Sequence, residues 1–169
     1  MAEEEAVTPE KGAAPDQSKA PQFAIDRIYV KDISLEAPRG QEAFKTWQPT
    51  VNLDINTKQI TLQEGLHEVI LTLTISVKEK DTDAIYFLIE IQQAGLFRTA
   101  NIPAAELRRV LASVAPSTLF PYARESVDNL AVKAGFPPLR LAPINFDALL
   151  QAAMKQQSEE STPADETIQ

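Results

Sequence analysis

The chain of 169 residues has no cysteine, so disulfides, thiolate metal sites and cysteine nucleophiles are excluded. It has one histidine, His67, and five glycines in all. A metal site would have to be built almost wholly from carboxylates, and none is expected. GxSxG, GxxxxGK and GxGxxG are all missing, which removes the nucleophile elbow and the phosphate-cradling loops. No run approaches the roughly 20 apolar residues that span a bilayer. The first residues, MAEEEAVTPE, are acidic and lack an apolar h-region, so no secretory signal is read and a cytoplasmic location is expected. Positive charge is also scarce: the net charge is −8. Residues 1–22 carry five acids against two lysines, and residues 156–169 carry four acids and no base, which leaves the centre near −1. Such a chain offers phosphates no excess of cations, so nucleic acid is not an expected partner.

What is present is apolar periodicity. Residues 1–22 hold little to bury, and fixing each backbone residue costs about 1–2 kcal/mol, so this acidic segment is predicted to be a disordered tail. Residues 157–169 are predicted to be a second one. The domain proper spans 23–156. Its first part repeats every two residues. In HEVILTLTISV, Val69, Leu71, Leu73, Ile75 and Val77 alternate with mostly polar neighbours. Val51, Leu53 and Ile55 alternate with Asn52, Asp54 and Asn56. FAIDRIYVKDISLEA is a further strand whose apolar set shifts partway, which predicts a bulge near Arg27–Val30. DAIYFLIEIQQAGLF is apolar on both faces through Tyr86–Ile89 and reads as covered on both sides there. KEKDTD is the hairpin loop before it. Ala37–Pro49 is a longer connection that carries Phe44 and Trp47.

After Phe97 the period becomes helical. IPAAELRRVLASVA predicts a helix that stops before Pro116. A second helix is predicted from about Leu119 to Ala134, ended by Gly135. FPPLRLAP is extended. A last helix starts after Asn145 as N-cap, with Phe146, Leu149, Leu150, Ala153 and Met154 on one face. Strands followed by helices predict an α+β fold: a four-stranded antiparallel sheet with the C-terminal helices packed on one face.

No catalytic set emerges. Asp81 with Asp83 and Glu159 with Glu160 are carboxylate pairs, but they fall in a loop and a tail with no apolar shell to raise a pKa. The residues that stand out are Phe44, Trp47, Phe120, Tyr122, Ile144 and Phe146. Each alone is an ordinary core residue. Together they are large apolar side chains at the ends of elements, where a groove for an extended apolar peptide can be built. A small-ligand-binding α+β protein or a passive oligomeric adaptor are the competing readings.

RIYVKDISLEAP (27–38), WQP (47–49), FLIEIQQAGLF (87–97), LFPYARE (119–125) and GFPPLRLAPINFDALL (135–150) occur in this order. They closely resemble SecB, the bacterial protein-export chaperone family, over about Phe23 to Gln156. The resemblance implies a cytoplasmic homotetramer, a dimer of dimers, with no enzymatic activity and no cofactor. It implies that unfolded preproteins are bound without ATP, kept competent for translocation and passed to the motor SecA, with no direct membrane insertion. By the same resemblance Trp47 and the Phe120–Tyr122 and Ile144–Phe146 stretches line the client groove, and Phe44, beside Trp47 in the long connection, is expected to join them as the sixth client-binding residue. It further implies that Asp32, Glu36, Leu88 and Glu90 form the SecA-docking face. Ile89, Ile91 and Gln93, one face of the fourth strand by alternation, match positions that affect tetramer assembly.

Overall fold

A computed structural model of the chain describes residues 20–40, 44–45, 47–82 and 84–160, with backbone alone for 157–160. Four strands come first: β1 (Gln22–Glu36), β2 (Pro49–Gln63), β3 (Leu66–Glu79) and β4 (Ile85–Ala100). They form one antiparallel sheet in the order β1-β4-β3-β2, so β1 and β2 are its edges. The predicted bulge is present as two irregularities in β1, between Ile25 and Arg27 and between Val30 and Asp32. The extra residues, Asp26 and Lys31, each form an ion pair on the same side of the sheet: Asp26 with Arg98 and Lys31 with Glu68. The bulges thus convert two local kinks into two cross-strand contacts.

Helices cover the other side. α1 (Ala104–Arg109) runs through a π-turn (Val110–Val114) directly into α2 (Ala115–Lys133). The predicted break before Pro116 is therefore corrected: 104–133 is one continuous helical rod. The reason is local. The π-turn places Pro116 in the first turn of α2, where a missing N–H costs little. LFPYARE accordingly lies inside a helix, and not at its start. Pro121 takes the donor away from the Ser117 carbonyl, but both residues are exposed and water can serve that oxygen. Gly135, at φ +88°, ends α2 as expected: the Phe136 N–H donates to Ala131 O at 2.9 Å and the Gly135 N–H to Val132 O at 3.0 Å. α3 (Phe146–Glu160) begins at the predicted cap, where Asn145 Oδ1 accepts from the Ala148 N–H at 3.0 Å. It continues past the expected tail boundary at 157. The remainder of the two expected tails, 1–19 and 161–169, lies outside the described residues, as does Asp83.

The core lies between the sheet and α2. Leu71, Leu73 and Ile75 of β3 and Phe87, Ile89 and Ile91 of β4 are fully buried there, against Leu119, Ala123 and Val127. Gly95 permits this closeness: a Cβ at that position would sit 2.9 Å from the Leu119 side chain. Among the described residues no helix is long and apolar enough to cross a membrane.

Candidate functional site

Two surfaces emerge, one apolar and one charged. The apolar one begins in the connection between β1 and β2. Trp47 stacks on Tyr86, with ring centroids 5.4 Å apart, and lies nearly parallel to Phe87 at 6.5 Å. Phe136 packs against Trp47 at 5.5 Å and against Phe87 at 4.5 Å. Phe44 touches the outer side of Phe136 at 5.4 Å and is 59% exposed. Alternation places Phe87 toward the core, and the turn after α2 places Phe136 opposite it, so the loop tryptophan closes a ring-lined wall.

A groove of about 480 Å³ runs between β2 and α3. Leu53 and Ile55 form its sheet side; Phe146, Leu149, Leu150 and Ala153 form its helix side. The predicted apolar stripe of α3 is real, but most of it is not core. Phe146 is buried, whereas Leu149 is 45% and Met154 62% exposed. The groove meets a second hollow of about 630 Å³ at Ala112 and Leu150, bounded by Arg108, Arg109 and Asp147. Arg109 donates to the Asp147 carboxylate at 3.3 and 3.4 Å. That carboxyl is held below its ordinary pKa by the Ser113 hydroxyl and then by Arg109.

The six expected groove residues therefore do not form one wall. Phe44 and Trp47 share the first cluster. Phe120 meets Phe146 edge-on at 6.0 Å, both almost fully buried, so their role is largely to seat α3 on α2. Ile144 is half-buried against the core. Tyr122 is 51% exposed on α2. Leu53 and Ile55 were not singled out as site residues. Their alternation marks a strand, and only the sheet order shows that β2 is an edge with its neighbour α3 standing off it.

The charged surface is the side of the sheet without helices. Register puts Glu36 opposite Leu88, Ser34 opposite Glu90 and Asp32 opposite Gln92. Asp32, Glu36, Leu88 and Glu90 thus share one face, as alternation required if β1 and β4 were neighbours. Asp54 joins the row of Glu90 through Thr74, an acid not singled out from sequence. Further along the face, Glu68 is buried at 6% and accepts from the Tyr29 hydroxyl and from Lys31 Nζ, the latter at 2.9 Å to each oxygen. The Tyr29 bond, then Lys31, holds the Glu68 carboxyl below its ordinary range, and the same bond pushes the Tyr29 phenol up to about 12.

Ile89 and Ile91 are fully buried and Gln93 is 2% exposed, on the side covered by this chain's own α2. Gln93 Nε2 donates to Tyr29 O at 2.9 Å, while its Oε1 has no partner among the described residues. His67, near the start of β3, is buried at 6% and bonded on both nitrogens, to Thr61 and Thr99 at 3.1 Å each. Among the described residues no cluster of His, Asp and Glu has the geometry of a metal site.

The family model described as "Preprotein translocase subunit SecB" matches residues 16–157. The "Protein-export protein SecB" of Pseudomonas putida is 46% identical over 149 residues, 88% of this chain and 91% of that relative. The same-named protein of Pseudomonas syringae pv. tomato is 41% identical over 162 residues, 95% of this chain and 98% of its own length. Among solved structures, a SecB-like chaperone of Mycobacterium tuberculosis in complex with an antitoxin-derived ChAD peptide shares the fold. Its TM-score is 0.62 at 20% identity, with 72% of this chain and 90% of that one covered. The matching model, the relatives across nearly the full length and the shared fold agree: this chain belongs to the SecB family of non-enzymatic protein-export proteins.

Proposed function

We propose that the chain is an ATP-independent export chaperone that holds unfolded preproteins in the apolar groove and delivers them to the SecA motor through the open sheet face. The observation that carries the first half is an amphipathic helix whose apolar stripe faces a groove, with Leu149 and Met154 left exposed. Such a surface binds any extended apolar segment, because apolar contact is non-directional. It selects unfolded over native clients because only the former present such segments, and mass action then holds them unfolded. Trp47, Phe44 and the groove-lining Leu53, Ile55, Leu149 and Leu150 supply the contact, with buried Phe146 holding the helix side in place. Tyr122 contributes from its exposed place on α2.

The second half rests on Asp32, Glu36 and Glu90 lying around Leu88 on one flat face. Acids on an open sheet face attract a basic partner surface and orient it, an effect that weakens with salt. Client and motor would then occupy opposite sides of the sheet and bind together. The protein acts in the cytoplasm as a homotetramer. Ile25, Val30 and Ile33, between 40% and 46% exposed on edge strand β1, are apolar surface suited to a second copy. Ile89, Ile91 and Gln93 would influence assembly through the α2 helix they support. The docking half is tested by calorimetry of SecA with the full chain carrying Asp32→Lys and Glu90→Lys. Loss of binding with client capture retained supports it; undiminished binding at moderate salt refutes it.

A further inference from the structure

The hollow beside the groove holds an atom of a kind found nowhere else among the described residues. The sequence has two methionines and no cysteine, and Met1 lies outside the described residues, so Met154 carries the one sulfur within them. Met154 lines the hollow of about 630 Å³ and stands one turn beyond Leu150, which that hollow shares with the groove. Its side chain is 62% exposed, more than any other large apolar side chain described. The contacts that seat α3 lie at its start: the Asn145 cap, the Phe120–Phe146 ring contact and the Arg109–Asp147 pair. They are roughly 10–14 Å away along the helix axis. The thioether is therefore open to small solutes, on the same surface that the groove reading gives to client.

A thioether is flexible and polarisable, which suits a surface that must fit many apolar segments. It is also a group that a peroxide oxidises. The sulfur lone pair attacks a peroxide oxygen, the O–O bond breaks and an S–O bond forms. The sulfur loses two electrons, the peroxide gains them, and thioether plus hydrogen peroxide becomes sulfoxide plus water. The reverse step uses a reductase and two thiols, which end as a disulfide while the oxygen leaves as water. The sulfoxide is a polar acceptor. Arg108, exposed and with no ion-pair partner among the described residues, lines the same hollow and supplies a donor for that oxygen. An apolar client segment laid over the sulfoxide must strip water from its oxygen, which costs free energy. Oxidation thus turns one end of the apolar stripe polar.

We propose that Met154 is a reversible oxidation site, at which a peroxide lowers the affinity of the groove for client. This inference rests on the reading of the groove between β2 and α3 as the client site. The test treats the full chain with hydrogen peroxide, removes the peroxide with catalase and locates the added oxygen by mass spectrometry of peptides. Capture of a synthetic unfolded polypeptide, rich in Leu and Phe and free of Met and Cys, is then titrated. Met154 should gain one oxygen about as fast as a methionine in an unfolded peptide. The oxidised chain should bind about 5- to 30-fold more weakly, the loss expected when the exposed part of this side chain no longer offers apolar contact. Incubation with a methionine sulfoxide reductase and dithiothreitol should restore binding. Met154→Leu sets its own baseline, and peroxide should leave that baseline unmoved. Leu149→Asp, on the helix side of the groove, tests the underlying reading. If Leu149→Asp loses the polypeptide while the oxidised wild type binds normally, the groove reading stands and this inference falls. Resistance of Met154 to peroxide, a loss that the reductase does not reverse, or an equal effect of peroxide on Met154→Leu would also overturn it. If Leu149→Asp binds as the wild type does, the groove reading is refuted and this inference with it.

Discussion

Replacing Trp47 by alanine separates its packing from its proposed contact with client. Three rings contact the indole: Tyr86, Phe87 and Phe136, at centroid distances of 5.4, 6.5 and 5.5 Å. Truncation of a fully buried tryptophan costs about 3–5 kcal/mol. Trp47 is only half-buried, so about 2–3 kcal/mol is the expected loss of stability. At about 2–4 °C per kcal/mol for a chain of this size, the melting temperature should fall by roughly 4–12 °C. Trp47→Phe keeps a stacking ring and should lose less than half of that. At 25 °C both variants should remain folded by circular dichroism, which allows client binding to be measured separately. Trp47→Ala should then bind an unfolded client about 1–3 kcal/mol more weakly. Because Trp47 is the sole tryptophan, its emission in the wild type reports directly on whether client reaches it. A melting temperature unchanged by Trp47→Ala would refute the packing argument. Unchanged emission on adding a tryptophan-free client would refute the contact.

The Tyr29–Glu68–Lys31 network should shape the pH dependence. Glu68 titrates below its ordinary value of 4.5 in the folded chain, so its stabilisation is full above pH 4.5 and is lost as pH falls through the lowered folded value. Tyr29 is raised from 10.0 to about 12, so its contribution is full below pH 10 and lost as pH rises through 12. Denaturant titrations across pH should show Glu68→Gln flattening the acid limb; an unaltered limb would contradict the network. Asn145→Ala removes the cap of α3 and should cost about 0.5–2 kcal/mol, with amide exchange of Ala148 and Leu149 accelerating. No change in exchange there would mean the cap does not hold the helix. Gln93→Glu would bury a carboxylate under α2 and should cost several kcal/mol and loosen the proposed tetramer together. A stable variant of wild-type mass by light scattering would sever Gln93 from both roles.

Sheet and helix were legible in the chain to different degrees. β3 was plain because its alternation is uninterrupted from Val69 to Val77, and burial on the helix side enforces that register. The β1 bulges were visible as a shift in phase, since an inserted residue moves every later side chain to the other face. The helix break at Pro116 misled because proline marks a missing donor, and a π-turn five residues long removes the need for that donor. The four residues of the proposed docking face could be placed on one side of the sheet from alternation alone, given a neighbouring β1 and β4; that adjacency is set by sheet order, a long-range property. The groove was half legible. The apolar stripe of α3 was evident from spacing, but periodicity cannot say whether a stripe meets a core or an open channel. That depends on how far α3 stands from β2, which the extended 137–145 segment and the Phe120–Phe146 contact set.

The central claim is that this chain captures unfolded polypeptide through an apolar surface, and refolding kinetics test it most directly. A denatured, unrelated, tryptophan-free protein is diluted into buffer with and without the full chain, without nucleotide, and recovery of its native signal is followed. An equimolar amount of the chain should slow recovery severalfold, and the quenching or shift of Trp47 emission should follow the same time course. Refolding at the same rate in the presence of a large excess of the chain, with Trp47 emission unmoved, would contradict the account.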